Sequence, residues 1–321
     1  MSESNVIDIL TLTVNPAVDV STAVQRVVDT HKLRCEAASR HPGGGGINVA
    51  RVIQRLDGAH AGCLALYLAG GVAGDLLEQL LAAERVTSRR LHIAGETREN
   101  FSVKERATGR EYRFVLPGPQ VSAIEWARVP DSFEALAPVP RYLVLSGSLP
   151  PGVPAHAYAD LARRAHARGA RVVLDTSGPP LALALEAGVY LVKPSLGELA
   201  ELAGTALPDE AAQVLAARKI VTDRRAQIVA LTLGEHGALL VSPDETLRVE
   251  ALPVPVSSAI GAGDSFLAGL IVALRGGAGL GAAARLAQAA ASASLLTDGT
   301  ALCDAAQVRR LHEGASAMSV S

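Results

Sequence analysis

Short apolar runs rich in β-branched residues recur along the chain at Ile7 to Val14, Cys63 to Ala69, Tyr142 to Leu145, Arg171 to Leu174, Val189 to Val192 and Ile228 to Leu233. Each is closed by turn residues, and unbroken apolar character over roughly four to eight residues marks strands buried on both faces. Between them, Asn48 to Arg55, Asp75 to Glu84, Ala155 to Arg168 and Glu198 to Leu202 place apolar residues at three- and four-residue spacing, which predicts helices. The alternation predicts an α/β fold, a mostly parallel sheet with helices on both faces.

One segment departs from this rhythm. Asn100 to Lys104 and Glu111 to Leu116 alternate in character around Thr108 and Gly109, as a hairpin does. Phe101 and Val103 are expected on one face and Tyr112, Phe114 and Leu116 on another, a concentration of aromatics in a chain that holds only 3% of them. An exposed hairpin with such a face needs a cover, so a lid over a ligand or a contact between two copies is expected. No Pro/Ser-rich linker or fixed-period repeat interrupts the chain, and residues 1–321 are read as a single domain.

Composition narrows the function. The 49% hydrophobic share and 19% charged share suit a packed core and exclude disorder and coiled coil. With 30 basic and 32 acidic residues the formal charge is −2, so no overall cationic field draws in nucleic acid or anionic lipid, and any anion must be held locally. The apolar run Phe266 to Leu274 is far shorter than the roughly 20 residues that span a bilayer. The opening MSESNVIDILTLTV has neither a basic start nor a small-residue cleavage site, so a cytoplasmic protein is expected. Cys35, Cys63 and Cys303 form no CxxC pair, which supports neither a disulfide framework nor a cysteine-built zinc site.

Three glycine-rich places carry candidate chemistry. In Pro42-Gly43-Gly44-Gly45-Gly46-Ile47-Asn48 four successive glycines open a helix and let backbone amides approach a ligand, although a flexible turn uses the same residues. Neither the Rossmann GxGxxG/A spacing nor a GxxxxGK[ST] P-loop is present. Ala259-Ile260-Gly261-Ala262-Gly263-Asp264-Ser265 precedes an apolar helical run, and its amides at a helix N-terminus would favour an anion. Asp264 there is either an N-cap or a general base beside that anion. Lys193-Pro194-Ser195-Leu196-Gly197-Glu198 and Leu233-Gly234-Glu235-His236-Gly237 each follow a predicted strand, at the sheet end where open α/β folds bind ligands. Glu198 also suits a helix's first turn with no further role. The eight histidines show no metal spacing, and Ser146-Gly147-Ser148 is not a GxSxG elbow.

Taken together, PGGGGINVAR, SGSLPPG, KPSLGE, TLGEHG and AIGAGDSF resemble, in order and separation, the PfkB branch of the ribokinase-like sugar kinases from about Leu10 to Cys303. The opening TLTVNPAVD, Lys32 to Cys35, the all-glycine loop, Tyr112-Arg113-Phe114 and Gly299-Thr300 are most similar to the members that act on fructose 6-phosphate. The resemblance implies a Rossmann-like, ribokinase-like α/β domain with a small β-sheet lid from segments about 15–37 and 92–116, through which relatives form homodimers. It implies ATP-dependent, Mg2+-requiring phosphorylation of the C1 hydroxyl of fructose 6-phosphate, a glycolytic step. Fructose 1-phosphate or tagatose 6-phosphate is the alternative substrate, and a non-catalytic nucleotide or sugar-phosphate sensor the alternative of another class.

By this correspondence Asp264 is the base, and Gly261, Ala262 and Gly263 form the anion hole. Asp19, Gly43, Gly44, Gly45, Gly46, Asn48 and Ser148 contact the sugar. Arg98 binds its phosphate, with Lys32 and Arg34 reaching from a partner subunit, and Arg113 is a further substrate-binding residue. Lys193, Ser195, Thr232, Gly234 and Gly237 line the nucleotide, and Glu198 organises magnesium through water. Ser258, Ile260, Ser294 and Gly299 belong to loops that hold potassium in relatives. Two departures stand out: relatives carry Asn where this chain has Ser195, and the kinases for fructose 1-phosphate and tagatose 6-phosphate carry Lys where it has Gly45.

Overall fold

The computed structural model describes residues 6–318. Nine strands form the main sheet: β1 (Ile9–Thr13), β4 (Cys63–Ala69), β5 (Ser88–His92), β8 (Tyr142–Ser146), β9 (Arg171–Asp175), β10 (Val189–Val192), β11 (Ala226–Thr232), β12 (Ala238–Val241) and β13 (Thr246–Val249). Their order is β13-β12-β11-β10-β9-β8-β1-β4-β5. All neighbours are parallel except β11–β12 and β12–β13, a short antiparallel edge that the apolar runs did not predict.

The strand pleat explains the layering, since successive side chains leave a strand on opposite faces. Ile9, Tyr142 and Val144 enter a core with α1 (Gly45–Asp57), α8 (Ala262–Arg275) and α9 (Leu280–Leu295). Leu10, Leu12, Leu143 and Leu145 enter the opposite core, with α3 (Ala123–Glu134), α4 (Ala157–Ala167), α5 (Gly178–Glu186) and α7 (Glu210–Thr222). α2 (Gly71–Ala83) presses Leu77 and Leu81 on Tyr67 of β4 and on Val18 and Val20. α6 (Leu196–Ala203) follows β10, and α10 (Ala305–Met318) packs on α9. No helix among the described residues is long and apolar enough to cross a membrane.

A separate four-stranded sheet stands beside the carboxyl ends of the main one, in the order β3 (Ser39–Gly43), β2 (Ala17–Val24), β6 (Arg98–Glu105), β7 (Glu111–Phe114). The expected hairpin is therefore one half of a small sheet. Its register corrects the expected faces: Phe101 lies opposite Phe114 and Val103 opposite Tyr112, so these four residues share one face. Directly opposed residues in an antiparallel pair always project to the same side. Phe101 remains 41% exposed and Phe114 56%. The other face carries Asp19, paired with Asn100, and Arg113, paired with Ser102.

Candidate active site

Between the small sheet and the carboxyl ends of β8 and β9 lies a cavity of about 320 Å³. Its walls bring together Asp19, Gly44, Gly45, Asn48, Arg98, Arg113, Ser148, Glu198, Ile260, Gly261 and Asp264 from the expected set. They also include Asn100, Ser146, Asp175 and Thr176, which sequence reasoning missed. Asp175 directly follows the predicted strand Arg171 to Leu174, at the carboxyl end where open α/β sheets bind ligands, and that position was a usable signal.

The glycine loop is shaped by its neighbours. A Cβ on Gly43 would run into the Asp19 carboxylate, and one on Gly45 into the Ser146 hydroxyl. Gly44, at φ 111°, is the N-cap of α1 and adopts a backbone conformation that other residues avoid. The loop has room only for backbone, whereas Asn48, one turn into α1, projects its amide toward α8 and donates from Nδ2 to Asp264 Oδ2 at 2.8 Å.

Asp264 lies in the first turn of α8, whose N-cap is Gly261 at φ 77° with no side-chain cap. The N-cap alternative is thereby removed, because a backbone glycine does that work. The amides of Gly263 and Asp264 belong to the first turn and have no intrahelical acceptor, while the Ala262 amide leans back to the Ala259 carbonyl at 3.4 Å. Burial, followed by the negative charge of Asp175, pushes the Asp264 carboxyl up to about 7 against the pull of Asn48 and Lys193. Lys193 is buried, 3.1 Å from Asp175, and that carboxylate keeps it an ammonium despite burial. A Cβ on Gly263 would stand 3.4 Å from Lys193 Nζ, so the lysine sits beside the anion hole.

On the side of the small sheet, Asn100 Nδ2 donates to Asp19 Oδ1 at 2.8 Å, and burial raises the Asp19 pKa. Arg98 is more constrained than expected: its guanidinium donates to the carbonyls of Leu116 at 2.6 Å, Asn15 at 2.8 Å and Pro16 at 3.4 Å. It therefore clamps the lid to the loop after β1 and keeps only part of its fork for a ligand. Arg113 makes no hydrogen bond or ion pair among the described residues and faces the cavity with its donors available. Lys32 and Arg34 lie on an exposed segment and do not line the cavity of their own chain.

On the other side, Ser195 and Glu198 form a capping box at the start of α6. Ser195 Oγ accepts from the Glu198 amide at 3.3 Å, and Glu198 Oε2 accepts from the Ser195 amide at 2.7 Å. The pattern S-x-x-E before an apolar run signals this box in sequence. The Ser195 hydroxyl is thus engaged in the cap, and Glu198, which lines the cavity, uses Oε2 for the cap and keeps its other carboxylate oxygen out of it. Thr232 donates to the Pro194 carbonyl and bridges to Ser195, while Gly234 and Gly237, both at positive φ, shape the tight turn after β11. No group of three or more His, Cys, Asp or Glu that could hold a metal occurs among the described residues.

Of the expected potassium positions, Ser258 donates to Glu111 at 2.9 Å and its Oγ accepts from the Ile260 amide, and Gly299 sits at φ 55°. The Ser294 carbonyl accepts from both the amide and the hydroxyl of Thr297, at 3.2 and 2.8 Å, so both its lone pairs are already used.

The glycine-rich N-terminus of α8, with Asp264 and Lys193 beside it, is the kind of anion site on which phosphoryl transfer relies. Residues 6–307 match the model of the pfkB family carbohydrate kinases, and the chain belongs to that family. It is 42% identical over 308 residues to the ATP-dependent 6-phosphofructokinase isozyme 2 of Mycobacterium tuberculosis, covering 95% of this chain and 89% of that one. It is 36% identical over 269 residues to a 1-phosphofructokinase of Xanthomonas campestris, covering 83% of each. The crystal structure of Escherichia coli phosphofructokinase-2 in complex with substrates and products is similar at a TM-score of 0.92 and 36% identity, over 97% of this chain and 100% of that one.

Proposed function

We propose that the protein transfers the γ-phosphoryl group of ATP to the C1 hydroxyl of fructose 6-phosphate, acting as a single catalytic unit, 1–321, in the cytoplasm. The observation that carries this reading is Asp264, raised to about 7 at the N-terminus of α8 and oriented by Asn48. A carboxylate so tuned takes the hydroxyl proton near neutral pH. The free amides of the same helix turn neutralise the phosphoryl oxygens, and Lys193 adds a fixed positive charge beside them. Asp19, Asn48 and Ser148 hold the sugar hydroxyls, with the backbone of Gly43 to Gly46 as the floor. Arg113 binds the sugar's own phosphate together with the remaining donors of Arg98, and Lys32 and Arg34 are supplied by the second subunit of a homodimer. Thr232, Gly234 and Gly237 border the nucleotide, and Ser195 acts there as the cap of α6.

The donor set suits magnesium, which keeps several waters and binds through one or two carboxylates and substrate phosphates. Glu198, with the oxygen left out of the cap, would hold such a hydrated ion, which would neutralise nucleotide phosphate charge. Potassium, if used, is held by the Ser258, Ile260 and Gly299 carbonyls without Ser294.

The preference for fructose 6-phosphate is supported by Gly45. With the Ser146 hydroxyl against it, this position admits no side chain, so the charge of the substrate must be met at the lid arginines. An ADP-release assay with ATP, magnesium and a panel of sugar phosphates tests the reading, run in potassium and in tetramethylammonium at equal ionic strength. The highest kcat/KM is expected for fructose 6-phosphate. Preferential use of fructose 1-phosphate or tagatose 6-phosphate would overturn the substrate, no turnover at all would overturn the kinase, and equal rates in the two cations would remove potassium.

A further inference from the structure

Three residues beyond Asn48, on the same face of α1, lies Arg51, whose side chain is 0% exposed. Its Nε and Nη2 donate to the two carboxylate oxygens of Glu84 at 2.9 and 2.6 Å. Its Nη1 donates to the Pro42 carbonyl at 2.8 Å, to Asn48 Oδ1 at 3.1 Å and to the Thr300 carbonyl at 3.4 Å. Glu84 is gripped from a second side by Arg55 at 2.9 Å. Burial works against the Glu84 charge, and the two guanidinium groups outweigh it, so its pKa lies below the ordinary value.

A guanidinium has donors and no acceptor. The Asn48 amide must therefore turn its oxygen toward Arg51, which leaves only its NH2 group for Asp264. With an uncommitted amide, oxygen and nitrogen compete for that place, and the oxygen would face a carboxylate with nothing to donate. We propose that Arg51, locked by Glu84, is a positioning residue for phosphoryl transfer that fixes the Asn48 amide as a donor to Asp264. The inference rests on Asp264 being the base.

The charged groups around the relay bear on its test. Asp264 faces Asp175, Asp19 and Lys193 as well as Asn48. Arg51 faces Glu84, Arg55, Asp19 and His41. Of the influences on Asp264, only the Asn48 donor and Lys193 favour its ionised form, so losing the donor pushes its titration upward.

The experiment uses the full-length protein and its Arg51→Met, Arg51→Lys and Glu84→Gln variants, with circular dichroism and melting as checks of folding. In Arg51→Met, kcat is expected to fall on the order of 10-fold with sugar KM changed little. The acid limb of kcat/KM is expected to move to higher pH, a displacement that a loss of stability alone would not produce. Arg51→Lys, which keeps the charge but donates from a single nitrogen, should recover part of that displacement. Glu84→Gln retains an acceptor for Arg51 and should shift the limb in the same direction by less; it carries the test if Arg51→Met does not fold. An acid limb coincident with wild type in Glu84→Gln or in a folded Arg51→Met overturns the proposal. Asp264→Asn separates the two ideas: if it stays active the base assignment itself fails, and if it is inactive while the limb stays put only the Arg51 inference fails.

Discussion

Asp264 is held under opposing influences, since burial and Asp175 oppose its charge while Asn48 and Lys193 favour it. Replacing it by Asn should lower kcat by at least on the order of 100-fold with sugar KM largely kept, measured by steady-state ADP release. The same variant should melt higher. A carboxyl whose folded pKa is raised retains a proton that the unfolded chain gives up, so its contribution to stability is lost as pH rises through about 7. The melting gain should accordingly be largest on the alkaline side and vanish in acid; an unchanged melting temperature at all pH values would contradict the raised pKa. Gly45 offers a second residue-scale test. Gly45→Ala forces a methyl into the Ser146 hydroxyl and should destabilise by about 1–3 kcal/mol. Adding Ser146→Ala removes that oxygen, itself buried without a partner, and should restore most of the loss in denaturant unfolding. Of this site, Asp264, Asn48 and the glycines were legible because each sits in a local motif. Arg51 and Glu84 were not, because their roles depend on contact between helices 33 residues apart in sequence.

Among the elements, the long apolar runs announced the buried strands, since burial on both faces leaves an unbroken pattern. The hydrophobic pattern marked neither β2 nor β3, because a sheet with one wet and one covered face has a weaker and more polar signature, as in Ser39-Arg40-His41-Pro42-Gly43; only the family resemblance put the β2 segment in the lid, and β3 lies beyond the segment it gave. The lid's uncovered face makes the element-scale prediction. Phe101 and Phe114, opposite one another on the lid's uncovered face, expose an apolar surface that suits a second copy of the same chain. Phe114→Asp should convert a dimer to a monomer in analytical ultracentrifugation. If Lys32 and Arg34 come from the partner subunit, it should also raise sugar KM several-fold. A monomeric wild-type protein, or a monomeric variant with unaltered KM, would refute one or both halves of that statement.

At the scale of the whole molecule, β1 lies between β8 and β4, so the first described strand is interior to the sheet, and the loops that follow it and β8 are joined by the Asn15–Ser148 hydrogen bond beside the cavity. The alternation of strands and helices revealed a parallel sheet, but its order was beyond a reading of local pattern, because strand order is decided by which faces remain to be covered once the helices pack. Asn48 and Asp264 touch although 216 positions separate them. The lid meets the cavity with one face and leaves the apolar surface on the other, and a thermodynamic cycle follows from that arrangement. If the sugar and a second copy of the chain bind this sheet as proposed, they are two ligands of one thin sheet, and whatever free energy the sugar adds to subunit association, association must return to sugar binding in equal measure. Each dimer holds two sugars, so the dimer dissociation constant measured with and without saturating fructose 6-phosphate should change by the square of the factor that separates the per-site sugar dissociation constants of dilute and concentrated protein; factors of one in both measurements would mean that the sheet does not connect the two sites.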